Sequence, residues 1–139
     1  MILRCYIELI KKLLKFLVEV VPVLEIKGRL KVYYNIFKMI FIIQSFEDKL
    51  THLFFALNKF HCFFDGNKRI AISAGALFLN LNGYVFRVAD FISEMENISY
   101  HVAAGKVNKG LLKEIITAVL YDDMENEELK LKIYNAIND

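Results

Sequence analysis

Phe46, Leu50, Leu53, Phe54, Leu57 and Phe60 recur at the three- and four-residue steps of a single helix face. A second apolar run, all but free of charge past Arg69, extends to Leu81. Two helical patterns this close in sequence, with no alternation of period two between them, predict a compact all-α bundle. Ser45 is a good N-cap for the first, with Glu47 and Asp48 in the favourable first turn. Gly83 is a plausible stop for the second, which is expected over 68–81. Ala71, Ala74, Gly75 and Ala76 are small enough there to let another helix come close. Gly75 gives up roughly 0.5–1 kcal/mol of intrinsic helix propensity in return.

Shorter helical pieces follow at about 89–104, 109–121 and 124–137, the last with Leu129, Ile133, Ala136 and Ile137 on one side. Towards the N-terminus, Tyr6, Leu9, Ile10, Leu13, Leu17, Val20 and Val21 fit a helix running up to Pro22, the only proline. Residues 23–44 are ambiguous. Val32-Tyr33-Tyr34 and Phe41-Ile42-Ile43 are β-prone, whereas Ile36, Ile40 and Ile43 also fit a helix.

At 139 residues, one domain is the expectation over 1–139, with 45–121 as its core and 122–139 as a C-terminal helix. Hydrophobic residues make up 56% of the chain, yet no uncharged stretch is long enough for a membrane span. Glu8, Lys11, Lys12, Lys15 and Glu19 spoil the N-terminus as a signal peptide, so the expected location is cytoplasmic. Cys5 and Cys62 form neither a metal nor a redox spacing. The net charge of +2 is uneven: residues 1–40 carry eight Lys/Arg against three Asp/Glu, and residues 111–139 three against seven. Lys11, Lys12 and Lys15 fit the solvated side of an amphipathic helix, so nucleic acid is not the expected partner.

Between the two main helical patterns lies His61-Cys62-Phe63-Phe64-Asp65-Gly66-Asn67-Lys68-Arg69. It reads as a loop feeding a helix N-terminus, where unpaired backbone N–H groups and the positive end of the dipole gather an anion. Gly66 allows the backbone close to a phosphate, and Asn67 tolerates turn conformations and offers an amide. Lys68 and Arg69 add charge for a phosphate. Asp65 suits a divalent cation and equally a helix N-cap. His61, with an ordinary pKa near ~6.5, is placed to act as a general base. His52 and His101 have no converging groups and read as structural, His101 on a surface helix. Cys62 reads as passive. The chemistry this pattern suggests is phosphoryl or nucleotidyl transfer.

The same residues resemble the signature of the Fic/Doc superfamily, His-x-Phe-x-Asp-Gly-Asn-Lys-Arg. Seven specified positions in a chain this short leave little room for coincidence. The likeness continues through Phe78-Leu79-Asn80-Leu81-Asn82-Gly83-Tyr84 and fades through Val102-Ala103-Ala104-Gly105-Lys106, which resembles a short turn before the last Doc helix. Residues 1–44 do not resemble the family's N-terminal region, of whose glycine-rich segment only Gly28 is present. The resemblance implies ATP and Mg2+ as cofactors, with His61 as the base, Asp65 on the metal, and Gly66, Asn67, Lys68 and Arg69 on the phosphates. It also implies a β-hairpin flap before the motif.

Lys68 separates two branches of that family. Fic adenylyltransferases usually carry glycine there and a second arginine three positions after the first, where this chain has Ile72. Lysine resembles the Doc (death-on-curing) toxins, which transfer the γ-phosphate of ATP to a threonine of elongation factor Tu and halt translation. The leading expectation is such a toxin, with a protein substrate and a cognate antitoxin. An adenylyltransferase and a catalytically inactive binding module are the alternatives. The family's inhibitory Ser/Thr-x-x-x-Glu helix has no evident counterpart, since Ile92 stands where the hydroxyl should be. The apolar excess suggests a groove for an antitoxin helix, or self-association into a homo-oligomer, with Leu112, Ile116, Val119 and Ile133 as candidate walls, although a core role is the first expectation for each.

Overall fold

A computed structural model of the chain describes residues 45–59 and 67–139, together with Lys11, Lys15, Ile42 and Ile43; of Lys59 and Asn67 only the backbone is described. These residues form five α-helices: α1 (Phe46–Lys59), α2 (Asn67–Leu81), α3 (Val88–Ala103), α4 (Lys109–Leu120) and α5 (Glu127–Asn138). A single 3₁₀ turn, Val85–Arg87, leads into α3. No strand occurs among the described residues, so the all-α expectation holds. The expected first helix and β-hairpin flap lie outside them apart from isolated positions. Lys11 and Lys15 are helical and exposed, as a solvated face requires, and Ile42 of the β-prone run is helical.

Each boundary has a local cause. The Ser45 hydroxyl accepts from the Asp48 backbone N–H at 3.1 Å and donates to the Asp48 carboxylate at 2.6 Å, which caps α1. At the end of α2, Gly83 takes φ +87, the Tyr84 N–H reaches the Leu79 carbonyl at 2.9 Å and the Gly83 N–H reaches that of Asn80 at 3.3 Å. This pair of reversed bonds is a Schellman closure, which only a residue content with positive φ can make cheaply. Gly105 closes α3 in the same way, with φ +80 and a bond from the Lys106 N–H to the His101 carbonyl at 2.9 Å. The turn expected from Val102 therefore begins two residues later, because Val102 and Ala103 are still helical. Asn108 and Asn126 cap α4 and α5, each accepting a backbone N–H three residues on.

Side-chain contacts set the directions. Phe46 stacks on Phe78 and Tyr84 with centroids 5.2 and 4.6 Å apart, so the start of α1 meets the end of α2. The Asn58 amide donates to the Ser99 carbonyl at 2.8 Å, which brings the end of α1 to the end of α3. Hence α2 runs antiparallel to both α1 and α3. The α4 helix returns along α1: Lys113 pairs with Asp48 at 3.0 Å, and the Tyr121 hydroxyl donates to Glu47. α5 packs chiefly on α4 through Leu129 and the half-buried Ile133.

The core lies between α1, α2, α3 and α4. Leu50, Leu53, Phe54, Leu57, Phe78, Phe91, Met95, Leu112, Ile115 and Ile116 are fully buried in it. Leu112, Ile116 and Val119 thus fill the interior rather than wall an open groove, because α4 turns that face onto α1 and α3. An apolar groove of about 610 Å3 lies elsewhere, along Ala76, Leu77, Val85, Val88 and Ile92. His101, expected on a surface helix, is half-buried in the last turn of α3.

The α1 cap yields a direct expectation. The Asp48 carboxyl is held below its ordinary range, first by the Ser45 hydroxyl and then by Lys113. A depressed carboxylate contributes stability above its unfolded pKa, near ~3.9, and that contribution is lost as the pH falls through the lower folded value. Ser45→Ala should raise the Asp48 pKa in an NMR titration and cost about 0.5–2 kcal/mol of stability at neutral pH. An unchanged Asp48 titration would show that the cap does not govern this carboxyl.

Candidate functional site

The helix bounds place residues 60–66 of the signature between the end of α1 and the start of α2 in sequence. His61, Asp65 and Gly66 themselves lie outside the described residues, as does the Asn67 side chain. Asn67 opens α2, so Lys68 and Arg69 both sit in its first turn, and both are exposed. That turn contains no acidic residue. An anion approaching it meets two cations and the positive end of the helix dipole, with no carboxylate of the same turn in competition. The cations are there because the apolar pattern of α2 begins only at Ile70, which is buried, so positions 68 and 69 can face water.

Farther along α2 the small residues do what the sequence suggests. A Cβ built on Gly75 would lie 2.6 Å from the Phe91 ring, too close for any side chain without movement. The absence of a side chain at Gly75 is what lets α3 approach α2 at this point. Ile72, at the position of the second arginine in Fic adenylyltransferases, is half-buried and packs against the core. A cation there would have to leave apolar surroundings.

Two contacts surround this end of the bundle that the sequence reading did not single out. The first is Asn58, fully buried in the last turn of α1, three residues before His61. Its Nδ2 donates to the Ser99 carbonyl at 2.8 Å, while its Oδ1 has no hydrogen-bond partner among the described residues. A polar residue four positions after Phe54, on the apolar stripe of α1, was the available signal. The second is Tyr100, 60% exposed, whose ring centroid lies 4.9 Å from the Lys68 Nζ. No sequence signal marks Tyr100, since an exposed aromatic near a helix end is ordinary.

His52 Nδ1 is 3.3 Å from the Lys109 Nζ on the α4 side of α1, away from the start of α2. Among the described residues no group of three or more His, Cys, Asp or Glu could hold a metal ion. Nor is any described helix long and apolar enough to cross a membrane.

A helical bundle in which two adjacent cations occupy the first turn of a buried helix is the class of protein the described geometry defines. A model of the Fic/DOC family matches residues 25–79. The matched span includes α1, residues 60–66 and nearly all of α2, and it supports the likeness to the Fic/Doc superfamily. Proteins of that family are typically transferases acting on proteins. No curated protein and no solved structure matches the chain.

Proposed function

We propose that the chain is a Doc-like phosphotransferase, the toxin of a toxin–antitoxin pair, which moves the γ-phosphate of ATP to a protein hydroxyl. The observation that carries this reading is lysine, not glycine, at position 68, exposed in the first turn of α2 beside Arg69. An ammonium there fills the space that Fic-type binding leaves for the α- and β-phosphates, and it favours an ATP bound in the reversed sense. The absence of a second arginine at the Ile72 position supports the same branch.

In this reading His61 accepts the proton of the target hydroxyl as its oxygen attacks the γ-phosphorus, and ADP leaves. Gly66 and Asn67 give backbone and amide N–H groups to the phosphates, and Lys68 and Arg69 balance the charge that gathers on their oxygens. A magnesium ion held by Asp65 would supply further charge neutralisation between phosphate groups. By resemblance the acceptor is a threonine of elongation factor Tu, the outcome is a block in translation, and the setting is the cytoplasm. A separate antitoxin supplies the restraint for which α3 carries no inhibitory glutamate motif.

Mass spectrometry of target protein incubated with the purified chain and Mg-ATP tests the reading. A phosphoryl adduct supports it. An adenylyl adduct assigns the chain to the other branch, and no adduct on any target would favour a binding module. Lys68→Gly sharpens the distinction. It should weaken phosphotransfer and nucleotide binding by about ten- to a hundredfold, since a charge-assisted bond is worth about 1.5–3 kcal/mol. If both are unchanged, Lys68 does not contact the phosphates.

A further inference from the structure

Asn58 and Lys68 flank residues 60–66, one in the last turn of α1 and the other in the first turn of α2. Both are held by consecutive residues of α3. Asn58 bonds the carbonyl of Ser99 at 2.8 Å, and Lys68 places its ammonium 4.9 Å from the ring centroid of Tyr100. The Ser99–Tyr100 step therefore fixes the spacing between the two helix ends that the signature joins. Tyr100 is 60% exposed, so the core does not require this aromatic, and its ring also meets that of His101 edge-on at 5.4 Å.

We propose that Tyr100 is a positioning residue for Lys68: its ring face holds the ammonium at the start of α2, where the phosphates of ATP would gather. This role rests on the nucleotide reading above. A lysine stem has four rotatable bonds, and an unrestrained one loses much freedom on binding a phosphate. A carboxylate could restrain it, but only by neutralising the charge and competing with the phosphate for its N–H groups. An aromatic face attracts the cation through its quadrupole and takes no hydrogen bond. The N–H groups of Lys68 therefore remain available to an incoming anion while the side chain stays in place. The phenol hydroxyl has no part in this, so phenylalanine should serve equally well.

The full chain and three single variants, Tyr100→Leu, Tyr100→Phe and Lys68→Met, with the double variant Tyr100→Leu/Lys68→Met, test the role. Tyr100 is exposed, so these changes leave the core intact. Mg-ATP affinity by calorimetry should fall about two- to fivefold in Tyr100→Leu, the factor a cation–π contact at an exposed site provides. Tyr100→Phe should bind as the wild type does. In the Lys68→Met background Tyr100→Leu should cause no further loss, because a residue acting through Lys68 has nothing left to act on. NMR gives a readout free of nucleotide: the Lys68 side-chain methylene protons should be shifted upfield by the ring, the shift persisting in Tyr100→Phe and vanishing in Tyr100→Leu. Wild-type affinity in Tyr100→Leu, or an equal loss in both backgrounds, overturns the role while leaving the nucleotide reading in place. A wild type that shows the ring-current shift but binds no Mg-ATP overturns the nucleotide reading and this role with it.

Discussion

His61→Ala should abolish growth arrest on expression and reduce phosphotransfer by about a hundredfold or more, the usual contribution of a positioned general base. His61 is the only histidine of the signature, and the chain's other two are accounted for elsewhere: His52 lies beside Lys109, and His101 is half-buried at the end of α3. The loss should fall on turnover rather than on nucleotide affinity, because the imidazole acts on the acceptor hydroxyl and the phosphates are held by other groups. Thermal unfolding of the variant should match that of the wild type. A His61→Ala protein that still arrests growth would remove this residue from the mechanism. One that loses Mg-ATP affinity in step with activity would make it a ligand-binding residue instead.

The pH dependence follows from the same role. Only a neutral imidazole can take the acceptor's proton, so the rate should fall on the acid side as the ring is protonated. Lys68→Gly should not move that limb, since it changes phosphate contacts and not the base. A limb that shifts with Lys68 would mean that the two groups interact electrostatically.

How far the sequence discloses this molecule depends on the range of the forces involved. The caps at Ser45 and Gly83 are decided within a few residues, so α1 and α2 could be placed within a residue or two of their observed bounds. The pattern over 89–104 comes within a residue of the observed α3, whereas the family likeness opens the turn at Val102, two residues early. Val102 and Ala103 resemble the opening of a turn only if the burial of Val102 is unknown, and that burial is a tertiary fact. Leu112, Ile116 and Val119 were expected in the core before a groove wall and are buried there, but periodicity gives a face and not its partner, so only the docking of α4 shows what they pack against.

The candidate site divides along the same line. The cations at Lys68 and Arg69 were legible because helix starts attract anions by local geometry. Asn58 and Tyr100 were not, since their contacts with Ser99 and Lys68 join residues 41 and 32 positions apart in the chain. Such contacts depend on how closely and at what angle α3 crosses α1 and α2. That approach rests in turn on one residue without a side chain, Gly75, and on the ring that fills the space it leaves.

Phe91→Ala should therefore be the most destabilising single change in the described core, at about 3–5 kcal/mol. Against a typical total stability of about 5–15 kcal/mol, such a loss would leave a domain of this size marginal. Phe91 is fully buried, meets Phe54 edge-on with centroids 6.0 Å apart, and lies where a Cβ on Gly75 would collide with it at 2.6 Å. Removing the ring forfeits its transfer free energy and opens a cavity between α1, α2 and α3. Gly75→Ala should act in opposite senses in the two backgrounds. With Phe91 present, the added methyl overpacks the crossing at a cost of about 1–3 kcal/mol, more than the roughly 0.5–1 kcal/mol gained in helix propensity. With alanine at position 91 the clash is gone, so the same methyl partly fills the cavity and the propensity gain stands unopposed. Urea unfolding of the four proteins in this cycle should show Gly75→Ala lowering the midpoint in the wild type and raising it in Phe91→Ala. A methyl that stabilises both backgrounds alike would mean that α2 and α3 do not meet at this pair.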